Sequence, residues 1–192
     1  SPVDLAINVD GSFATVNATT GQTYYTRSGS FSLDGAGYIH DSSDNRLQVF
    51  ASNGSGGYAT TPTSAQIPAT NGTGAEFAGV SVTSNGDVTA SYADGTNTVI
   101  GKVALASFVA PNGLKQVGSS NWVTTGISGA ASYGQPGNGQ YGELLSGALE
   151  RSNVDIAEEL VGLITAQRNF QANAKAIDTA TQISQTIINL RT

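Results

Sequence analysis

The sequence predicts a mainly β fold that ends in a long α-helix: an antiparallel β-rich domain followed by a coiled-coil-like terminal helix. Eight Asp-Gly or Asn-Gly pairs, which suit the positive φ angles of hairpin turns, are spread over the first 140 residues. In contrast, 23 of the 24 glycines precede Asn153, and the last forty residues contain no proline. The two parts of the chain therefore have different secondary structure.

Short runs in which apolar residues alternate with polar ones lie between the turn signals, as at Val80/Val82, Val88/Ala90/Tyr92 and Phe31/Leu33. A period of two indicates strands with one buried face. We therefore expect at least seven strands, mostly antiparallel.

Two segments depart from this rhythm. Residues 51–79 are rich in glycine and carry one charge, so we expect a long connection or a small excursion there. Residues 128–142 are rich in glycine and also contain proline, which predicts a flexible linker. The domain prediction is thus a β-rich domain over 1–145 and a helical segment over 146–192.

The terminal segment begins with helix-start chemistry. Ser152 or Asn153 suits the N-cap, and Asp155, Glu158 and Glu159 lie near the positive end of the helix dipole. A helix over 154–190 is about 55 Å long. Apolar residues recur along it at alternating spacings of three and four, namely Ile156, Leu160, Leu163, Phe170, Ala174, Ile177 and Ile188.

Such a helix is expected to overhang a β domain built from 140 residues. Because its apolar stripe must be buried, we expect other copies of the chain, or chain outside this sequence, to cover it. The stripe is interrupted by Gln167, Thr181 and Ser184, which favours a crowded array of helices over a two-stranded zipper. A single amphipathic helix folded back on the β domain is the alternative, since an apolar stripe alone does not say what covers it.

Composition excludes several function classes. The chain has no cysteine, which excludes disulfides and Cys-based zinc sites. Its net charge of −6 and scattered basic residues argue against nucleic-acid binding and against a polybasic membrane patch. We expect no membrane insertion, because no run of eighteen apolar residues occurs. No signal-peptide pattern opens the sequence, so we expect either a trimmed N-terminus or export without a cleaved signal.

No residue pattern predicts catalysis, a metal site or a cofactor site, and we expect a non-enzyme. His40 is the single histidine and is expected at the surface or in a turn. Asp34, Asp41 and Asp44 lack the order of a calcium loop and are expected to form turns. Trp122 is expected to pack in a core or an interface, with a sugar-binding platform as the alternative.

Several stretches resemble one known family. "SGALERSNVDIAEELVGLITAQRNFQANAKAI" (146–177) closely resembles the C-terminal signature of the bacterial flagellar rod and hook proteins. "YTRSGSFSLDGAGYI" (25–39) is similar to the family's Tyr-Thr-Arg-x-Gly-x-Phe-x-x-Asp-x-x-Gly-Tyr segment. Residues 2–16, 100–125 and 128–150 also resemble family segments, in the expected order.

Within the family, "AQRNFQANAKAI" and the ending "INLR" are similar to the hook members, whereas distal rod members tend toward a Thr-Gln-Arg-Ala-Tyr-Glu type of segment. Two features depart from hook members. The helical segment that precedes "PVDLAI" in the family is lacking, and only 51–79 stand where hook members carry a large outer domain. The resemblance therefore implies a trimmed hook-type subunit or one with a reduced outer domain, and the distal rod is the alternative.

The resemblance implies a structural role. Family members polymerise into a hollow helical tube in which β domains form the wall and paired terminal helices line the inside. The implied partners are further copies, the neighbouring rod and hook–filament junction proteins, and the hook cap and export machinery. The implied location is the flagellar hook or basal body, outside the cell after type III export. A secreted carbohydrate-binding or adhesin module is the alternative from another class.

The predicted assembly interface consists of ten residues of the terminal segment. The apolar members are expected in the tube core, and the polar ones in contacts between helices. They are Asn153, Ile156, Leu160, Leu163, Gln167, Arg168, Phe170, Asn173, Ile177 and Ile188.

Overall fold

The computed structural model describes residues 3–8, 10–146 and 156–191, with the side chains of 146 and 156–163 outside the description. The chain divides into two compact units, Ser1–Arg151 and Ser152–Thr192. We call the first the β unit. The second contains one helix, α1, over Ile156–Leu190.

The described part of the β unit contains fifteen strands, and every pairing between them is antiparallel. This confirms the predicted fold class. The strands are β1 (Val3–Ile7), β2 (Ser12–Asn17), β3 (Thr23–Thr26), β4 (Ser30–Leu33), β5 (Ile39–His40), β6 (Asn45–Ser52), β7 (Tyr58–Ser64), β8 (Phe77–Val82), β9 (Asp87–Tyr92), β10 (Asn97–Val103), β11 (Leu105–Ser107), β12 (Lys115–Gln116), β13 (Asn121–Val123), β14 (Ser132–Gly134) and β15 (Leu144–Ser146).

The eight-residue strand β6 joins two parts of the sheet. Its first half pairs with β2 on one edge and with β5 on the other. Its second half pairs with β10 and β7, and β10 continues into the β9–β8 meander. Because one strand belongs to both parts, they share a continuous core rather than forming separate domains.

The period of two seen in the sequence sorts side chains onto the two faces of the sheet. On the paired strands β2 and β11, Phe13 and Leu105 face the main core, whereas Ala14 and Ala106 face a second, smaller cluster. The predicted alternation is confirmed at Val80, Val82, Val88, Ala90, Tyr92 and Phe31, which are buried, and at Leu33, which is half-buried. Trp122 packs against the second cluster, as expected for a structural aromatic residue.

Of the two alternatives expected for residues 51–79, the long connection is wrong. Strand β7 occupies 58–64, and Ile67 is buried in the main core with its N–H donated to the carbonyl of Gly37 at 2.7 Å. The sequence pattern does not reveal this strand, because β7 pairs with β6 along one edge and its exposed residues are mostly threonine. Pro62 is tolerated in such an edge strand, because the N–H donor that proline lacks is not needed for hydrogen bonding to a neighbouring strand.

The expectation of a flexible linker over residues 128–142 is also wrong. Strand β14 pairs with β11, and the Tyr133 hydroxyl lies 3.0 Å from that of Tyr25. The Tyr141 hydroxyl donates to the carbonyl of Ser132 at 2.9 Å, and its ring covers Gly134, where no Cβ fits. Glycine therefore serves close packing here rather than chain flexibility.

The predicted terminal helix is confirmed as a single helix, α1, of 35 residues. At about 1.5 Å per residue it is about 53 Å long. The proposed N-cap residues Ser152 and Asn153 lie outside the described residues. In the part of the chain that the structure describes, no helix combines the length and the apolar character needed to cross a bilayer.

Candidate assembly surfaces

Six of the ten predicted assembly residues have described side chains, and all six are exposed. They are Gln167, Arg168, Phe170, Asn173, Ile177 and Ile188. Asn153 lies outside the described residues. Ile156, Leu160 and Leu163 lie within the α1 backbone, but their side chains are outside the description.

Three of these residues form one apolar face on α1. At about 100° per residue, Phe170, Ile177 and Ile188 project within about 20° of one another. The exposed fraction is 76% for Phe170, 67% for Ile177 and 63% for Ile188. We call these three residues the Phe170 face.

The predicted polar contacts do not all lie beside this face. Gln167 and Asn173 flank it at about 60° on either side, but Arg168 projects about 160° away from Phe170. A single neighbouring helix therefore cannot contact both Phe170 and Arg168. If all of these residues take part in assembly, α1 has more than one neighbour.

A second apolar face on α1 was missed in the sequence. Ile183, Ile187 and Leu190 are exposed and project together, roughly 130° around the helix from the Phe170 face. We call them the Ile187 face. Their spacings of four and three are the same helical signal that revealed the first stripe.

The last three turns of α1 are exposed but uncharged. Residues 179–190 include no charged side chain. The hydroxyls of Thr179, Thr181 and Thr186 donate to the carbonyls four residues earlier, at 2.9, 3.0 and 2.9 Å. Because these hydroxyls are satisfied within the helix, they need no partner from a neighbouring chain.

In the β unit, one polar cluster fastens β7 to the meander. The Tyr58 hydroxyl donates to Asp87 Oδ1 at 2.6 Å, and Lys102 Nζ lies 3.4 Å from the same oxygen. Lys102 also lies 4.8 Å from the centre of the Tyr58 ring. The hydrogen bond to Asp87, together with partial burial, raises the pKa of Tyr58 to about 12.

We expect Tyr58→Phe to lower the free energy of unfolding by about 1 kcal/mol at pH 7, because one hydrogen bond is lost while the ring over Lys102 remains. The pKa of Tyr58 is higher in the folded chain than its value of about 10 in the unfolded chain. Its contribution is therefore complete below pH 10 and is lost as the pH rises through 12. Urea unfolding at pH 7, 10 and 12 measures this, with Tyr24→Phe on β3 as control. A difference from wild type that stays constant over this range contradicts the role given to Tyr58.

A second polar cluster joins two turns at the end of the meander. Asp94 Oδ2 accepts hydrogen bonds from Asn71 Nδ2 at 2.8 Å and from Thr73 Oγ1 at 2.9 Å. Asp94 Oδ1 accepts from the backbone N–H and the hydroxyl of Thr96. Thr96 first, and then Asn71, hold the pKa of Asp94 well below its usual range.

We expect Asp94→Asn to lower the melting temperature at pH 7. The amide NH2 of the new asparagine is a donor and would face the Asn71 and Thr73 donors. The pKa of Asp94 is lower in the folded chain than the unfolded value of about 3.9. Its stabilising effect is therefore complete above pH 4 and declines as the pH falls below that value. Thermal unfolding between pH 7 and pH 2 tests this, with Asp10→Asn, an exposed site outside the cluster, as control. Equal melting temperatures for wild type and Asp94→Asn at pH 7 would refute it.

The candidate chemical residues have structural contacts. His40 lies in β5 and is half-buried, with Nδ1 2.8 Å from the carbonyl oxygen of Asp41. Asp34 and Asp41 each accept two backbone N–H bonds within their own turns, which is the turn-forming role expected for them. Among the described residues, no three or more acidic or histidine side chains are grouped as metal ligands would be.

Two family models match the chain. The model described as "Flagellar hook protein FlgE/F/G D1 domain" matches residues 6–90. The model described as "Flagellar basal body rod FlgEFG protein C-terminal" matches residues 145–190. The first covers the strands from β1 to β9, and the second covers α1.

Curated relatives include both hook and rod proteins. The flagellar hook protein FlgE of Salmonella typhimurium is 44% identical over 110 residues, which are 57% of this chain and 27% of that protein. The flagellar basal-body rod protein FlgG of Bacillus subtilis is 37% identical over 191 residues, 98% of this chain and 65% of that protein. The FlgG protein of Caulobacter vibrioides is 34% identical over 201 aligned residues, 100% of this chain and 65% of that protein. The chain thus spans from about a quarter to about two thirds of the length of these relatives.

Proposed function

The chain belongs to the flagellar rod and hook protein family, and on that premise we propose that it is a structural subunit of the flagellar hook. Many copies polymerise into a hollow helical tube that passes torque from the motor to the filament. The chain works by assembly, and its relatives are named as flagellar hook and basal-body rod proteins.

The observation that carries this proposal is the exposed apolar surface of α1. Burying a side chain such as Phe170 or Ile177 is worth roughly 1.5–3 kcal/mol, so leaving both faces in water is costly. Neighbouring helices in the interior of a tube would cover the Phe170 face and the Ile187 face together. The β units then form the wall of the tube, with 51–79 as a reduced outer insertion.

The assignment to the hook rests on identity. The Salmonella hook protein is 44% identical over 110 residues, and the Bacillus rod protein is 37% identical over a longer match of 191 residues. The partners are then further copies of the chain and the axial proteins at either end, including the rod and the hook–filament junction. Export through the flagellar type III apparatus delivers the subunits to the growing tip, beneath the hook cap.

The distal rod is a second candidate, because the rod proteins match across the chain from end to end. As a rod subunit the chain would form a stiff driveshaft rather than a flexible joint. The wall contacts would then be fixed, whereas those in a hook must slide as the joint bends.

Complementation separates the two candidates. The full-length gene is expressed in strains that lack either the hook protein or the distal rod protein, and isolated basal bodies are imaged by electron microscopy. Hook assembly in the hook-deficient strain supports the proposal. Rescue of the rod-deficient strain alone favours the rod, and failure to enter the polymer in either strain overturns the assignment to both.

A further inference from the structure

We propose that neighbouring subunits in the wall are joined by an apolar knob, formed by Val109 and Ile127, that enters a recess between Leu33, Ile67 and Phe77 of the next copy. This inference rests on the proposed function, since it names the contact between β units in the polymer.

The two knob residues are the most exposed large aliphatic side chains among the described residues of the β unit. The exposed fraction is 95% for Val109 and 79% for Ile127. Their loops are held together because the N–H of Ala110 donates to the carbonyl of Ser128 at 3.4 Å. Val109 and Ile127 are the neighbours of these two bonded residues, so both exposed side chains lie on one pair of joined loops.

The knob is rigid. Ser128 is fully buried, its hydroxyl accepts from the N–H of Thr125 at 2.9 Å, and the Thr125 hydroxyl donates to the carbonyl of Gly113. A Cβ on Gly113 would lie 2.7 Å from Ile127 Cγ2, so the two loops pack closely. Because an ordered loop loses little further entropy on binding, exposed apolar groups on it suit an interface.

The recess lies elsewhere on the β unit, between the β4–β5 turn and the chain that leads into β8. Its volume is about 350 Å³, at the lower end of the range for ligand pockets and adequate for two aliphatic side chains. Its walls are also fixed by two hydrogen bonds. Gln66 Nε2 donates to the carbonyl of Ala36 at 3.1 Å, and the N–H of Phe77 donates to the carbonyl of Ala69 at 2.9 Å.

Charge complementarity favours a second copy of this chain as the occupant. The recess is lined by two carboxylates, those of Asp34 and Glu76, and by no basic residue. The knob belongs to residues 103–142, in which Lys115 is the single charged side chain. Lys115 is exposed at the start of β12, a few residues after Val109 in the sequence, so this part of the chain carries one positive charge that complements the two acidic groups.

The arrangement also has the symmetry that a tube requires. A knob that meets a different surface on the next copy makes a head-to-tail contact, which generates a helical filament when the rotation between copies does not close into a ring. A self-complementary contact would instead stop at a dimer. A second recess, lined by Phe108 and Trp122, contains both Asp10 and Arg27 and therefore lacks the single-sign charge that complements Lys115.

Disulfide trapping tests the contact, because the sequence has no cysteine of its own. Polymers are assembled from a mixture of full-length Ile127→Cys and Ala36→Cys proteins that carry tags of different mass, and are then oxidised. Mixed dimers in several-fold excess over an Ile127→Cys and Thr60→Cys mixture are expected. Mixed dimers at the control level, or Ile127→Cys homodimers as the main product, overturn the inference while the polymer itself still supports the proposed function. Failure to form any polymer would count against that function instead.

Charge reversal tests the same contact independently. Lys115→Glu should raise the critical concentration for polymerisation about two- to fivefold, the size of an exposed ion-pair effect. Adding Glu76→Lys in the same chain should restore the wild-type value, because both partners are reversed. A double variant that assembles no better than Lys115→Glu alone contradicts the pairing.

Discussion

Phe170→Asp is expected to abolish polymer formation while the β unit stays folded. Phe170 is 76% exposed in the isolated chain, so replacing it removes few contacts from the subunit itself. In the polymer, the same position would place a carboxylate between packed helices. An unpaired buried charge costs several kcal/mol, and the cost recurs in every subunit of the tube.

The matched control for this variant is Gln171→Asp. Gln171 is exposed on the same turn and lies about 100° from Phe170, on neither apolar face. It should assemble normally or with a modest rise in critical concentration. Sedimentation measures the polymer fraction, and circular dichroism verifies the β signal of both variants. Polymers formed by Phe170→Asp as readily as by Gln171→Asp would contradict burial of the Phe170 face.

Gly29→Ala is expected to destabilise the β unit by about 3 kcal/mol, the upper end of the usual cost of overpacking. A Cβ at Gly29 would lie far inside contact distance of the backbone carbonyl oxygen of Leu5, which cannot move aside as a flexible side chain could. The N–H of Leu5 also donates to the carbonyl of Gly29 at 2.9 Å. The substitution therefore pushes away β1, and with it the β1–β15 pairing.

Gly35→Ala is the control, because it belongs to the same "YTRSGSFSLDGAGYI" segment but has nothing within 4 Å of its Cβ position and no positive φ. It should be neutral or slightly stabilising. Guanidinium unfolding of both variants gives the comparison. Similar unfolding free energies for Gly29→Ala and wild type would show that β1 does not depend on this close approach.

The parts of the fold that were predicted correctly are those in which neighbouring residues in the sequence carry the signal. Alternation at Val88, Ala90 and Tyr92 reflects one buried face, and the terminal helix follows from its spacing and lack of proline. Strand β7 was not predicted, because an edge strand rich in threonine does not require alternating apolar residues. Its pairing with β6 brings in residues from elsewhere in the chain, which local patterns do not report.

For the same reason, the sequence pattern located one of the two exposed apolar faces of α1, and the assignment of these residues to an assembly interface stays a prediction. The spacing of Phe170 and Ile177 indicates one apolar face. The similar spacing of Ile183, Ile187 and Leu190 was not recognised as a second face. Val109 and Ile127 carry no sequence signal of exposure, because both stand in stretches that could equally be buried. Their exposure follows only from the folded loops, in which Ile127 packs against Gly113 and Ser128 is buried.

Hydrogen exchange of the same protein, as a monomer and as a polymer, tests most directly whether α1 is buried by other copies. The account predicts that amides of 164–190 gain protection by at least an order of magnitude on assembly, since packing suppresses local opening of a helix. Amides of the β-unit core, such as those of Val88 and Leu105, should change little. Equal protection of α1 in the monomer and the polymer would contradict the claim that neighbouring subunits cover its apolar faces.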